Sequence, residues 1–262
     1  MAVVFDSSAT YTSEIGSAST SGSKTLTHTV NPKARSLVVA YVGVLWVGGV
    51  NTTGASFSAS FGGTAMTALS SRTWNTNYET LRIFTLQNPP TGSQTVTVNY
   101  GSMPTETFNR SIMIISGTWA GIDTIGTPVL AGGTASTSNS VTVTSVLPAH
   151  KVITFHAAGR GVSFSAYNQP KRGDIRGPWN TGQLIMGECP GAASVVSTGT
   201  QNSSANWGCW GTAHTPSIVD GGGSLSVSAS VDKTAGSTYR TATPSPDRFW
   251  LIPADRSQTT RV

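Results

Sequence analysis

The fold class is decided within residues 34–100, which include ARSLVVAYVGVLWV (34–47), FSASFGGTAMTAL (57–69) and LRIFTLQNPPTGSQTVTVNY (81–100). These segments hold four apolar runs, separated by a Gly-Gly pair, a polar loop and a Pro-Pro-Thr-Gly turn. Short apolar runs divided by Gly and Pro are typical of consecutive β-strands. The stretch therefore predicts the first half of an antiparallel β-sandwich.

Two of the runs predict different kinds of strand. Residues 37–47 are almost continuously apolar and rich in Val, which favours a central strand covered on both faces. Residues 94–100 alternate between polar and apolar, which favours a strand with one wet face. Pro89 and Pro90 fix φ and cannot donate to a β-ladder, so the chain must turn before the second of these strands.

The composition extends the all-β prediction to the whole chain. Only 10% of the 262 residues are charged, and Ser, Thr and Gly are abundant, which suits strands with hydroxylated outer faces and disfavours helices. A chain of this length can bury a sizeable core as one domain. We expect a single domain over residues 1–262, with a first half at 3–128, a second half completing the sheets at 129–252, and a polar tail at 253–262.

Three segments carry weak strand signals. Residues 7–23 are rich in Ser, Thr and Gly and predict a loop or a loosely paired edge, and residues 132–140 predict another low-complexity loop. Residues 159–182 have no clear period and predict a long irregular loop, which in a compact domain is usually functional or mobile. The other expected strands are residues 3–6, 25–30, 110–116, 141–146, 151–157, 184–189, 206–213, 225–231 and 249–252.

The charge pattern disfavours nucleic acid as a partner, and the lengths of the apolar segments disfavour insertion into a membrane. The net charge of +5 is mild, and the one local excess of basic residues lies in 160–176, without the dense stripe and interleaved aromatics of a nucleic-acid surface. The most apolar window, residues 37–50, is shorter than the roughly 20 residues of a membrane-spanning helix. We therefore expect neither nucleic-acid binding nor membrane insertion.

The predicted compartment follows from two conflicting signals. Few charges, many hydroxyl residues and seven Trp suit a protein that works outside a cell, yet residues 1–16 show no basic and apolar leader. A virion protein, made in the host cytoplasm and released by lysis, satisfies both. Cys189 and Cys209 could form a disulfide or stay as two thiols, and we favour thiols because nothing else indicates an oxidising compartment.

The sequence contains no recognisable catalytic or metal motif. The four histidines, at 28, 150, 156 and 214, lack metal-ligand spacing, and the chain has neither a GxSxG elbow nor a P-loop. Nothing selects a catalytic pair among its eleven carboxylates. We expect no enzymatic activity, no cofactor and no metal ion.

Four aromatic residues form the candidate binding site. Trp74 and Tyr78 fall in an expected outer loop, and Tyr167 and Trp179 fall in the irregular segment. Exposed rings on sandwich loops can stack on sugar faces or bind a protein partner. The alternative is that these rings cover the ends of the core.

A series of short motifs resembles a jelly-roll-like β-sandwich family found in tailed bacteriophages, especially those of actinobacteria, and in some bacterial surface proteins. Its phage members are commonly labelled minor tail or virion proteins. The match covers about residues 3–128, and it implies a jelly-roll-like sandwich with long loops but carries over no catalytic residue. The motifs are FDS (5–7), LTHT (26–29), ARSLVV (34–39), FGGTAMT (61–67), LQNPPTGSQTVTV (86–98) and SGTWAGID (116–123).

The resulting functional expectation is a non-enzymatic structural protein on the surface of a tailed phage virion. A minor tail or tail-tip protein is the first choice and a head decoration protein the second. We expect it to bind other virion proteins and to form a homo-oligomer, for example a trimer, because virions repeat their parts around symmetry axes. The alternatives are a carbohydrate-binding adhesion module for host cell-wall glycans and a depolymerase, which would need two carboxylates facing each other across a groove.

Overall fold

The computed structural model describes residues 2–16, 18–32, 37–47, 54–74, 79–105, 110–144, 147–159 and 161–217, with the backbone alone at 37–44 and 179. The described residues all lie in one compact unit, Met1–Gly221. The strands expected at 225–231 and 249–252 and the tail at 253–262 lie outside them. The single domain over 1–262 therefore stays a prediction.

The chain is all-β, as the sequence predicts. Every strand pairing in the described residues is antiparallel, and the one helical element there is the 3-10 turn η1 (Pro178–Asn180). The strands are β1 (Val4–Ile15), β2 (Gly22–Val30), β3 (Leu37–Val47), β4 (Ser56–Phe61), β5 (Thr64–Ala65), β6 (Thr67–Trp74), β7 (Glu79–Gln87), β8 (Gly92–Gly101), β9 (Arg110–Ile125), β10 (Val129–Val143), β11 (Lys151–Ala158), β12 (Phe164–Tyr167), β13 (Lys171–Arg176), β14 (Gln183–Pro190) and β15 (Val195–Pro216).

The strands form two sheets. The large sheet runs β13-β14-β11-β15-β9-β3-β7-β6, with β1 added to β9 and with β10 and β12 added to β15. The small sheet runs β2-β8-β4-β5. Gly62 and Gly63 make the β4–β5 turn with φ of +55° and +80°, a conformation that glycine adopts without steric cost, so the Gly-Gly pair separates two strands as the sequence predicts.

Strand β9 lies between two hydrophobic cores. Its residues 110–122 are all buried. Ile112 and Ile114 face the core shared with the small sheet, whereas Met113 and Ile115 face a second core shared with β11 and β14. Successive strand residues point to opposite faces. The four consecutive apolar residues 112–115 therefore supply both cores, as a strand covered on both faces requires.

The same argument applies to β3, which the sequence predicts as a central strand. Trp46 packs in the core beside the small sheet, and its neighbours Leu45 and Val47 pack in the second core. All three side chains are essentially inaccessible to solvent. The prediction of a strand buried on both faces is confirmed for these residues.

A third layer forms where the β10–β15 pair folds back on itself. Val129 pairs with Gly211 at one end of the ladder, and Val143 pairs with Val195 at the other. Yet Val143 also packs directly against Gly211, so the two ends lie face to face. Register shifts between Gly133 and Ser138 break the ladder midway, which is how β-bulges bend a strand.

The loop predicted at 132–140 is wrong, and so is the irregular loop predicted at 159–182, which contains β12 and β13, whereas at 7–23 the structure shows a paired edge, one of the two predicted alternatives. Most of the segment 7–23 belongs to β1, and the whole of 132–140 belongs to β10. Both strands pair along long partners, β9 and β15, while their hydroxylated side chains stay mostly half-exposed or exposed. A polar composition describes an outer strand face as well as it describes a loop.

Candidate functional site

Trp74 is buried, contrary to the expectation of an exposed loop ring. It ends β6, where it pairs with Glu79 of β7, and its side chain belongs to the second core. Its indole lies over Gly208 of β15, where a Cβ would overlap the ring. Because the strand continues through Trp74, the ring points into the protein and offers no face to a sugar.

Tyr167 is also unsuited to a stacking platform. Its hydroxyl lies 2.7 Å from Oγ1 of the buried Thr154, and its ring packs over Gly187 of β14. Burial raises the pKa of the Tyr167 phenol to about 12. The residue is half-buried, with its polar end inside the protein, which corrects the expectation of an exposed ring.

The other two candidate rings stay predictions. Tyr78 lies outside the described residues, and Trp179 is described only by its backbone in η1. The four-ring glycan platform therefore loses Trp74 and Tyr167.

The quoted motifs FDS, LTHT and SGTWAGID meet in one polar network. His28 Nδ1 lies 2.7 Å from Ser116 Oγ, and His28 Nε2 lies 2.9 Å from Ser7 Oγ. Thr118 Oγ1 lies 3.1 Å from Ser7 Oγ and 3.3 Å from His28 Nε2. Because His28 comes from the small sheet and its partners come from β1 and β9, the network connects the two sheets.

Asp6 closes the outer end of this network. Thr118 Oγ1 donates to Asp6 Oδ2 at 3.0 Å, and the backbone and side-chain amides of Asn31 donate to its two oxygens at 3.0 and 2.7 Å. Burial lowers the pKa of His28 to about 4, and the Asp6 carboxylate opposes this shift only in part. His28 is therefore a neutral imidazole bonded to hydroxyl groups, and its role is structural.

A second network surrounds His156 on β11. His156 Nε2 lies 2.7 Å from Ser197 Oγ, and Nδ1 lies 2.9 Å from Asn139 Oδ1. Cys209 Sγ also contacts Nδ1, at 3.1 Å. A hydroxyl, an imidazole and an orienting side chain in this order have the arrangement of a nucleophile with its base.

This second network is sealed from solvent. Ser197 and His156 are fully buried, and Asn139 is 1% exposed. Burial lowers the pKa of His156 to about 3 and raises the pKa of the Cys209 thiol well above its ordinary value. No external substrate can reach Ser197, so the arrangement can act only on groups of the protein itself.

The network continues from Ser197 to two further groups. Thr154 Oγ1 lies 3.3 Å from Ser197 Oγ and donates to Gln169 Oε1 at 2.9 Å. The Tyr167 hydroxyl donates to the same oxygen over 3.5 Å. Sequence reasoning missed this site, although two polar residues at alternate positions of the apolar strand 151–157, Thr154 and His156, are a signal for a polar cluster on one face.

The basic residues around 171–176 do not form an open cationic patch. Lys171 Nζ lies 2.6 Å from Asp174, and Arg172 lies 2.7 Å from the buried Glu188. Arg172 also lies over the Phe5 ring, 4.7 Å from its centre. These two cations are therefore paired within the protein.

Glu188 receives further polar contacts at the edge of the second core. Lys151 Nζ lies 3.5 Å from one carboxylate oxygen, and the Trp119 indole N–H donates to the other at 2.5 Å. Since Glu188 is 3% exposed, these contacts compensate a charge that would be costly to bury alone. Its role is structural.

Two surface grooves were found, and neither has a catalytic carboxylate among its described lining residues. The larger, of about 650 Å³, lies between Thr67, Leu69 and residues 85–87 on one side and residues 125–128 on the other. The smaller, of about 150 Å³, lies beside Phe57 and Arg82. A depolymerase requires two facing carboxylates, so these grooves do not support that alternative.

Cys189 and Cys209 are free thiols in the structure. Cys189 lies in β14 opposite Val152, and Cys209 lies in β15 opposite His156. They are therefore two strands apart and offset by four residues along the sheet, well beyond the Cα separation of about 7 Å that limits a disulfide.

The described residues contain no cluster of metal ligands, and the sequence matches no known family. Among the described residues, no three His, Cys, Asp or Glu side chains are grouped as metal ligands. That same part of the chain contains no helix long and apolar enough to cross a membrane. No family model matches the sequence, and comparison with curated proteins finds no significant match.

Proposed function

We propose that this chain is a non-enzymatic structural protein on the surface of a tailed bacteriophage virion, built on a jelly-roll-like sandwich. A tail or tail-tip position is the first choice, and a head decoration position is the second. The proposal includes other virion proteins as partners and a homo-oligomer as the assembled form.

The observation that carries the proposal is the role of the shared motif residues. Asp6, His28 and Thr118 come from three of the motifs that resemble the phage family. His28 of the small sheet contacts Thr118 of the large sheet through a buried hydrogen bond, and Thr118 donates in turn to Asp6. Residues that connect layers have a structural role. This agrees with a resemblance that carries over an architecture and no chemistry.

A second observation supports the absence of enzymatic activity. The one arrangement of described residues that resembles a nucleophile with its base, Ser197 with His156 and Asn139, is closed to external molecules. The two grooves are lined by apolar, hydroxyl and amide side chains together with one arginine. Such surfaces suit docking better than acid–base catalysis.

The proposed docking face is the β10 end of the larger groove. Val129 and Leu130 expose 36% and 37% of their surfaces and directly follow the groove residues 125–128. Adjacent exposed apolar residues often mark a contact with another protein. The first half of β10 also exposes several hydroxylated and small residues without charge, a type of edge that neighbouring chains commonly cover.

The test combines light scattering of the purified protein with rebinding to particles produced without it. The expected result is a stable oligomer that rebinds such particles, with Leu130→Asp reducing rebinding at least tenfold. Val196→Asp is the matched control, because Val196 is also exposed but neither lines the larger groove nor directly follows its residues.

Two outcomes would contradict the proposal. Failure of the wild-type protein to bind any such particle would remove the virion role. A monomer that ignores particles but is retained by host cell-wall glycan would instead favour the adhesion module, and Tyr78 and Trp179 would then be the residues to replace.

A further inference from the structure

The side chains of Thr154 and Gln169 meet in a sealed part of the protein. Thr154 lies in β11 and is fully buried, and Gln169 follows β12 and is 7% exposed. Thr154 Oγ1 lies 2.9 Å from Gln169 Oε1. A hydroxyl oxygen is thus held in contact with a carboxamide group.

A second observation concerns the nitrogen of that carboxamide. Gln169 Nε2 is buried and has no hydrogen-bond partner. A buried NH₂ group without an acceptor is destabilising, and native proteins rarely contain one without a reason. The oxygen side of the same carboxamide, by contrast, receives two hydroxyl groups.

A proton path connects Thr154 to the imidazole. When His156 donates its Nδ1–H to Asn139 Oδ1, Nε2 is left with a free lone pair. Ser197 Oγ donates to that nitrogen at 2.7 Å and lies 3.3 Å from Thr154 Oγ1. When the Thr154 hydroxyl turns its proton from Gln169 Oε1 to Ser197 Oγ, that proton can pass through Ser197 to His156.

We propose that Thr154 and Gln169 react within the folded protein to form an internal ester cross-link. Thr154 Oγ1 forms a bond to Gln169 Cδ while its proton passes through Ser197 to His156. The Cδ–Nε2 bond then breaks, and the nitrogen takes the proton and leaves as ammonia. One hydroxyl and one carboxamide give one ester and one ammonia, without oxidant, reductant or co-reactant.

Tyr167 stabilises the oxygen that becomes negatively charged. Its hydroxyl points to Gln169 Oε1 over 3.5 Å, and it is protonated at neutral pH, since burial raises a pKa that is already high to about 12. A positioned donor at the developing oxyanion is the usual way to lower the barrier of acyl transfer. Exclusion of water from the site also protects the ester from hydrolysis.

The wild-type chain gives the first test, by intact mass and peptide mapping. Trypsin cuts after Lys151, Arg160 and Lys171, so Thr154 and Gln169 fall in different peptides, VITFHAAGR (152–160) and GVSFSAYNQPK (161–171). The cross-link keeps these peptides joined, with a combined mass lower than their sum by one ammonia. Mild alkali then separates them and leaves a carboxylate at position 169.

Variants test the assignment of the reacting groups. Thr154→Val abolishes the joined peptide, and Thr154→Ser, which keeps the hydroxyl, retains it. Thr212→Val is the matched control, because Thr212 is equally buried on the neighbouring strand β15 and donates to Gly126 O at 2.8 Å, so it retains the cross-link. Ser197→Ala slows formation at least tenfold.

Two results would overturn the proposal. One is full mass with separate peptides in both fresh and long-incubated wild-type protein, which needs no variant to fold. The other is loss of ammonia at a different residue while these two peptides remain separate. Because neither result depends on particles or oligomers, the cross-link can fail while the proposed function stands.

Discussion

At the residue scale, burial lowers the pKa of three histidines: His28 to about 4, and His156 and His214 to about 3. In each case loss of solvation is the largest cause, because a buried charge is poorly stabilised. In the unfolded chain the same groups titrate near pH 6.5. All three imidazoles are therefore neutral in the folded protein at neutral pH.

This burial predicts loss of stability in acid. Since the folded pKa values lie below the unfolded value, the unfolded chain binds more protons, and the stabilisation is full above about pH 6.5 and falls between pH 6.5 and about 3. Each histidine contributes about 1.4 kcal/mol per pH unit in that window. Urea unfolding from pH 8 to 4 measures it.

The control for this prediction is His28→Gln, which should flatten the slope by about one third of the histidine contribution. A free energy of unfolding that stays constant from pH 7 to pH 4 would contradict the argument.

The network at His28 gives a second prediction at this scale. Thr118→Val keeps the shape of the side chain but removes the hydroxyl that contacts Asp6, Ser7 and His28. The expected cost is about 1–3 kcal/mol, because the remaining polar groups are left with fewer partners. Thr27→Val, on the exposed face of β2, should change the free energy of unfolding by less than about 0.5 kcal/mol. Equal effects of the two substitutions would contradict a structural role for the network.

At the element scale, close packing of strands depends on glycines that face aromatic rings. A Cβ at Gly208 would overlap Trp74, so Gly208→Ala should destabilise the protein by about 1–3 kcal/mol through overpacking. Gly16→Ala is the control, because a Cβ there meets no atom within 4 Å. Thermal or urea unfolding gives both values.

A double-mutant cycle makes this prediction specific. In a Trp74→Leu background, Gly208→Ala should lose most of its cost, because the smaller side chain leaves room for the methyl group. Additive effects would show that the ring and the glycine are not coupled.

The strands that the sequence predicts correctly are those with a strong apolar signal. Residues 37–47, 94–100, 151–157 and 184–189 are predicted as strands and lie in β3, β8, β11 and β14. The apolar signal is absent where most side chains of a strand remain accessible to solvent. In β15 the apolar part at 206–213 was expected, but its polar start at 195–205 was not, because those residues alternate or lie exposed.

The candidate site was harder to predict than the strands. The residues next to Trp74 in the sequence suit a strand end and a loop equally well. Gly208, which makes room for the Trp74 ring, lies far along the chain. The contacts of His156 with Asn139 and Ser197 span 17 and 41 residues. These contacts exist only because the β10–β15 pair folds back on itself. No pattern in the sequence predicts this fold-back.

At the scale of the whole molecule, the order of strands predicts slow folding. β1 pairs with β9, and β9 also pairs with β3 and with the end of β15, so most pairings join distant parts of the chain. Domains dominated by such pairings fold in milliseconds to seconds. Stopped-flow Trp fluorescence after dilution from denaturant, started from briefly unfolded chain to exclude proline isomerisation, measures the rate. Complete refolding within microseconds would contradict the topology.

The position of β15 has a consequence for synthesis on the ribosome. This strand pairs with β9, β10, β11 and β12, yet it is the last strand of the described chain to be translated. Until residue 216 leaves the exit tunnel, the earlier strands of the second half lack their common partner and keep apolar faces uncovered. Translation adds only about 5–20 residues per second, so each nascent chain spends seconds in this state. Neighbouring nascent chains on one messenger RNA can then pair with each other. A chaperone at the tunnel exit would therefore raise the yield of folded protein.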